Sequence, residues 1–394
     1  MRTFLLIAAL LPLGAALAQP ANNNVSSAAI SAKAAAASSP KAVPPGANPF
    51  RIGNSGPSSG PNSASMLELL DGAKLYFDMV NETGGVKGRK IEVLQRDDNF
   101  EVTRTIKNVE QLVDVDHVDA LLLVRGTPHN EAILPIIDKA GVPLIGPSTG
   151  AMVLHKPVKK MVFNVRTAYR SEATKLASFL ALLGKQRIAL IHVQDSFGDD
   201  VAEGIVAGLA ERNLKPIGVY KFDRKTVDIA KLVPDVKKAN PDSIVLIGAG
   251  QAVATGIEAL RGQGVMAPVA TVSNNASTGF VKSLGGNATG VMVTQVFPDE
   301  RVANVPLARE ATRLAQKRNM QLTPAMMEGY AAAKVTVEAL RRCAGTCTRA
   351  DLQRSLETLD IDLGGVRLAY SPTDHSGLEF TDLSIIDRSG AFRR

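Results

Sequence analysis

The residues 146–150, Gly146-Pro147-Ser148-Thr149-Gly150, set a serine between two glycines at the spacing of a nucleophile elbow, and His375 follows late enough to complete a hydrolase triad. An elbow needs a strand, a sharp turn and then a helix. Residues 153–160 instead contain Pro157, His155 and three lysines without a helical apolar stripe, so a Gly/Pro/Ser turn is the better reading. His375 lies in Ser371-Pro372-Thr373-Asp374-His375-Ser376-Gly377, which reads as a turn between strands. Gly248-Ala249-Gly250 begins a dinucleotide fingerprint, but Val253 stands where its third glycine belongs. There is no phosphate-loop lysine pattern and no His-Glu-x-x-His. His117, His129, His155 and His192 are dispersed and read as structural or surface histidines. Gly126-Thr127-Pro128 joins an apolar strand to a helix, where a threonine hydroxyl caps the helix or meets an anion in the same orientation.

Cys343 and Cys347 are the two cysteines. With no further Cys or His beside them, a metal site is not expected; a small-loop disulfide is favoured over free thiols in an oxidising compartment. That compartment is indicated by the first residues. Arg2, an apolar run over residues 4–17 and Ala16-Leu17-Ala18 read as a signal peptide over 1–18, cut after Ala18. The run is too short for a membrane span, and no later stretch approaches the roughly 18 apolar residues a span needs. Residues 19–48, rich in Asn, Ser, Ala, Pro and Lys, read as a flexible low-complexity leader.

The elements that position these residues are legible in periodicity. The 394 residues exceed what one core usually serves, and 45% apolar with 21% charged residues is ordinary for a globular chain. The net charge of +7 is scattered and is read as a solvated surface, without the motif or stacking platform of a nucleic-acid binder. Strands are expected over 50–54, 90–95, 120–124 and 142–145, with helices over 63–79, 102–113 and 128–139. A second series places strands at 187–193, 217–222, 243–247, 269–272 and 290–296. Its helices fall at 199–212, 227–238, 252–261 and 278–284. Helices over 307–317, 325–342 and 349–359 and strands over 366–370 and 380–386 follow. Wholly apolar strands alternating with amphipathic helices predict parallel sheets covered on both faces. The fold class is thus α/β, with two doubly wound Rossmann-like lobes, and the late helices are expected to cover the first sheet.

Several segments resemble the leucine/isoleucine/valine-binding-protein family of type I periplasmic binding proteins. They are Ser59-Gly60-Pro61, Gly72-Ala73-Lys74-Leu75, residues 81–91 (Asn-Glu-Thr-Gly-Gly-Val-Lys-Gly-Arg-Lys-Ile), Asp97-Asp98, residues 142–148 (Val-Pro-Leu-Ile-Gly-Pro-Ser), Phe163-Asn164-Val165-Arg166, Ser196-Phe197-Gly198 and residues 328–334 (Glu-Gly-Tyr-Ala-Ala-Ala-Lys). The resemblance runs from about residue 49 to the C-terminus. It implies lobes joined by a multi-crossover hinge, with residues 49–166 plus 297–365 in lobe 1 and 167–296 plus 366–394 in lobe 2. It also implies a non-enzymatic, extracytoplasmic protein that captures a small solute by hinge closure for the membrane permease of an ABC importer. Such a protein is expected to be a periplasmic monomer without cofactor or nucleic-acid partner. The alternatives are a ligand-sensing protein for a signalling partner and, less favoured, a serine hydrolase using Ser148.

The resemblance also implies site residues. The carboxylate-binding hydroxyl falls on Thr127, beside Gly126. In the turn after the fourth strand Ser148 falls on a backbone contact and Gly150 on the family's hydroxyl position, with Thr149 one residue away. Ser65 falls on a first-lobe contact and Phe197 on an aromatic over the ligand. A second aromatic position falls on Ala249 or Gly250. The carboxylate that grips an ammonium falls on Ser273, beside Asn274 and Asn275. The ligand expected is therefore a branched-chain amino acid, or an organic acid, aromatic acid or amide that needs no such carboxylate.

Overall fold

The computed structural model describes residues 48–301 and 304–394; the expected signal peptide and nearly all of the leader lie outside them. The first series runs β1 (Phe50–Gly56), α1 (Ser63–Glu82), β2 (Ile91–Asp97), α2 (Val102–Asp114), β3 (Ala120–Leu122), α3 (Thr127–Ala140), β4 (Leu144–Ile145) and β5 (Val162–Phe163). The second begins with α4 (Tyr169–Leu182), β6 (Ile188–Val193), α5 (Ser196–Ala210), β7 (Gly218–Phe222), α6 (Val233–Ala239), β8 (Ser243–Ile247) and α7 (Gly250–Gly262). It ends with β9 (Val269–Thr271), α8 (Thr278–Leu284) and β10 (Met292–Gln295). Then come α9 (Pro306–Lys317), α10 (Pro324–Arg342), α11 (Arg349–Glu357), β11 (Asp360–Asp362), β12 (Arg367–Ala369), β13 (Asp382–Ile386) and β14 (Phe392–Arg393).

One sheet has the order β2-β1-β3-β4-β5 and the other β14-β13-β10-β9-β8-β6-β7. All pairs of the first are parallel, as are those among β6 to β10; β13 joins β10 antiparallel and β14 joins β13. The reason is in the strands. β3, β6, β8 and β9 are buried at every residue, as strands flanked by helices on both faces must be.

The late helices do cover the first sheet. Leu307, Tyr330, Leu340 and Leu356 share a core with Phe50, Ile52, Leu70 and Phe163. Helix α10 is buried nearly all round, which its run of Ala, Met and Val permits. It meets α1 backbone to backbone: a Cβ on Gly329 would stand 1.7 Å from Leu69 O, and one on Gly72 1.9 Å from Met326 O. Cys343 and Cys347 form a disulfide just beyond α10, Cα–Cα 5.4 Å.

The chain passes between the sheets after β5, after β10 and before β13. The first and last passages lie side by side. Leu378 N–H donates to Val165 O at 2.9 Å, and Thr167 Oγ1 donates to Leu378 O and Phe380 O at 2.8 and 2.6 Å.

Some expectations need correction. The strand read at 366–370 was assigned to the second lobe. Its core β12 pairs with β11 in a separate ribbon, and Leu368 and Tyr370 are buried in the first core. The helix read at 227–238 breaks into a short 3-10 turn, Ile229–Lys231, and α6, because Pro234 fits a first turn but not a helix interior. Helix α4 went unread although Ala173, Leu176, Ala177 and Leu180 carry its periodicity and are buried. Strand β14 was likewise not anticipated.

Candidate functional site

The carboxyl ends of the two parallel sheets point at one cleft of about 600 Å³, its open mouth included. Strand-end loops and the first turns of α1, α3, α5 and α7 line it, the place where such sheets leave room for ligands. From the first lobe come Ser65 on α1, Phe100 before α2, the turn Arg125-Gly126-Thr127, and Ser148. The second supplies Tyr169, Phe197, Arg224, Gly250, Asn274 and Phe280.

The turn after β3 is shaped locally. Leu123 has φ +54°, a left-handed conformation that costs a side-chain-bearing residue about 1–2 kcal/mol. It swings the next residues out of line with β3, so that Arg125 bridges to Ser148. Gly126 follows at φ +95°, where a Cβ would stand 2.6 Å from His129 Nδ1, so glycine is required there. Thr127 is buried, and its hydroxyl shares a 2.7 Å hydrogen bond with that of Thr149.

Arg125 is 8% exposed. Its Nη2 donates to Asn274 O of the second lobe at 2.9 Å and its Nη1 to Ser148 Oγ at 3.4 Å. Among the described residues no carboxylate lies within ion-pair distance of it. Burial pulls its pKa below the ordinary arginine value, opposed by the more distant charge of Glu328. Arg224 differs: Asp195 pairs with it at 2.5 Å, and it stacks over Phe100 at 5.3 Å. Tyr169 and Phe197 sit ring to ring at 5.1 Å. Burial raises the Tyr169 pKa to about 12, so the phenol stays neutral.

Further contacts bind the lobes across the cleft. Ser65 and Ser277 hydroxyls are 2.7 Å apart. The Glu68 carboxylate of α1 accepts from Gly279 N at 2.8 Å, Thr278 N at 3.1 Å and Thr323 Oγ1 at 2.8 Å. Burial raises its pKa, against those donors. Ser196 Oγ donates to Glu131 at 2.5 Å.

Six of the ten residues expected at the site line this cleft: Ser65, Gly126, Thr127, Ser148, Phe197 and Gly250. Four do not. Thr149 stands behind Thr127 and fixes its hydroxyl. Gly150 is pressed against the crossover backbone, where a Cβ would come within 2.6 Å of Thr167 O. The Asn275 side chain is spent tying its turn to the loop after β8, donating to Thr271 Oγ1 at 2.9 Å and Gly248 O at 3.2 Å. Ser273 belongs to a buried cluster in the hinge. Its N–H and hydroxyl donate to Glu172 at 2.6 and 3.0 Å, and Arg166 pairs with Glu172 at 2.8 Å. Glu328 stands 3.6 Å from Arg166 and lines a smaller hollow beyond the rim formed by Ser65, Arg125 and Asn274.

The elbow geometry is not met at Ser148. A 3-10 turn over Met152–Leu154 follows it, and His375 Nδ1 lies against Lys159 O and Val162 O at 3.1 and 3.0 Å. Sequence reading missed Arg125, Tyr169, Arg224 and Phe100. A positive charge between an apolar strand and Gly126 was the available signal for the first.

A family model described as periplasmic binding protein matches residues 49–380. Leu/Ile/Val-binding protein homolog 7 of Brucella suis biovar 1 (strain 1330) is 26% identical, over 83% of this chain and 85% of its own. The solved substrate-binding periplasmic protein from Ralstonia solanacearum is 27% identical with a TM-score of 0.79, over 87% of this chain and 99% of that one. An extracellular ligand-binding receptor from Verminephrobacter eiseniae ef01-2 superposes with a TM-score of 0.79 at 24% identity, covering 88% and 100%.

Proposed function

Because the chain belongs to the periplasmic binding protein family, we propose that it is the solute-binding component of an ABC importer, holding a small polar organic molecule between its lobes. The observation that carries this reading is Arg125, a buried cation that leaves the first lobe and hydrogen-bonds the second across the cleft.

Closure is the work the geometry is suited to. Each lobe contributes half of the cleft wall, so a solute bound to one half gains its remaining contacts when the other swings in. Glu68 latches the start of α8, and Ser65 meets Ser277. The paired crossovers at residues 164–168 and 378–381 form the hinge. A closed pair of lobes then presents a membrane permease with a surface the open form lacks. The protein acts after export, in the periplasm. Among the described residues no helix is long and apolar enough to cross a membrane.

Differential scanning calorimetry against a broad panel of organic acids, amides, sugars and amino acids tests this. A captured solute at 100 times its Kd adds about 2.7 kcal/mol of stability and raises Tm. A chain whose Tm no solute in the panel moves is not a solute-binding protein.

A further inference from the structure

Resting on the solute-capture reading, we propose that the ligand is an organic anion with a flat apolar body and no ammonium group, an aryl or arylalkyl carboxylate, whose carboxylate is received by Arg125.

The charges on the cleft wall carry the inference. Among the described residues two arginines line it, Arg125 and Arg224, and no acidic side chain does. Arg224 is already neutralised by Asp195 at 2.5 Å. Arg125 is left with a carbonyl and a serine hydroxyl as its acceptors. Removing a guanidinium from water without a partner costs several kcal/mol. A bidentate carboxylate is the group that best offsets that cost. The site around it suits an anion, because Ser148 and Thr127 line it with hydroxyls and α3 begins there, at Thr127.

The opposite requirement, a seat for an ammonium, is not met on this wall. Glu172 is consumed by Arg166, Ser273 and Thr294. Glu328 stands 3.6 Å from Arg166 and lines an adjoining hollow that shares Ser65, Arg125 and Asn274 with the cleft, not the cleft wall itself. An α-amino acid would bury its ammonium against rings and hydroxyls, without a compensating charge. Four aromatic side chains stand on the rest of the wall, among amide, hydroxyl and small ones such as Asn62, Gln251 and Ser283. Phe100, Tyr169, Phe197 and Phe280 surround the space, and flat rings offer offset or edge contacts to a planar guest.

The test uses matched pairs that differ in the ammonium alone. Isothermal titration of the mature protein compares 3-phenylpropanoate with phenylalanine and 4-methylpentanoate with leucine. Benzoate and phenylacetate are run beside benzamide and phenylacetamide. The deaminated acids are expected to bind at least about 100-fold more tightly than the amino acids, the aryl acid better than the alkyl one, and the amides weakly. Arg125→Gln should lose acid affinity by a similar factor while circular dichroism stays native. Should that variant misfold, the ligand pairs on the unaltered chain decide alone. Amino acids binding as well as their deaminated partners would overturn the proposal, and so would acids unaffected by a folded Arg125→Gln. Binding confined to sugars, amides or other neutral solutes would overturn the ligand class and leave solute capture standing. No binding anywhere in the broad panel would remove solute capture itself.

Discussion

Substituting Glu172 by Gln probes the buried cluster that holds the cleft's second-lobe rim. Glu172 and Arg166 are both essentially inaccessible. The carboxylate accepts from Ser273 N at 2.6 Å, Ser273 Oγ at 3.0 Å, Arg166 Nη2 at 2.8 Å and Thr294 Oγ1. A glutamine keeps the shape but turns an NH2 donor toward one of these donors whichever way it is set. It also leaves Arg166 with Glu328 at 3.6 Å as its remaining counter-charge. Breaking one side of a buried pair costs about 3–5 kcal/mol. At about 1–2 °C per kcal/mol for a cooperative unit of this size, Tm should fall by about 5 °C. The chain contains no Trp, so urea unfolding is best followed by far-ultraviolet circular dichroism. Arg166→Met and the double variant complete a cycle, in which a coupling energy above about 1 kcal/mol is expected. Ligand affinity should fall with stability, because Ser273 precedes the Asn274 carbonyl that meets Arg125 at 2.9 Å. A loss below about 1 kcal/mol for Glu172→Gln, or additivity across the cycle, would refute the reasoning.

Two further outcomes can be measured in the same way. Burial lowers the pKa of both His129 and His155 from 6.5 to about 4, so the unfolded chain binds these protons first as pH falls. Their stabilising effect is complete above pH 6.5 and is lost between there and about 4. By pH 5 this removes about 2 kcal/mol per ring, read by urea melts at pH 7 and 5; a loss that persists unchanged in the His129→Phe and His155→Phe double variant would contradict it. Gly329→Ala places a methyl 1.7 Å from Leu69 O, so α1 and α10 must separate by roughly 1.5 Å, at a cost of about 1–3 kcal/mol or more. Wild-type stability for that variant would show that the two helices are not held at backbone contact.

How far the sequence could be read depended on whether a signal was local. The parallel strands were legible because their burial on both faces leaves continuous apolar runs such as Ile188–Ile191 and Ile244–Ile247. The turns bearing Thr127 and Ser148 were legible because glycine and proline mark strand ends. Arg125 was not, because an arginine after an apolar strand looks like surface charge. It becomes buried only when Leu123 turns the backbone and Asn274 arrives from the other lobe. Ser273 looked like a ligand contact because its position in the chain is right. Its partners, Arg166 and Glu172, lie 107 and 101 residues away in sequence, and no periodicity announces them. Tyr169 was lost with its helix, although the helix itself carried a readable stripe.

The threading of the chain bears on when it can fold. The first core needs Leu352, Tyr370 and Leu378, and the second sheet is incomplete without Asp382–Ile386 and Phe392–Arg393. During synthesis from the N-terminus the first core waits for Leu378 and the second sheet for Phe392–Arg393. Removing residues 383–394 would strip β14 and most of β13 from the second sheet, whose other strands all precede residue 296.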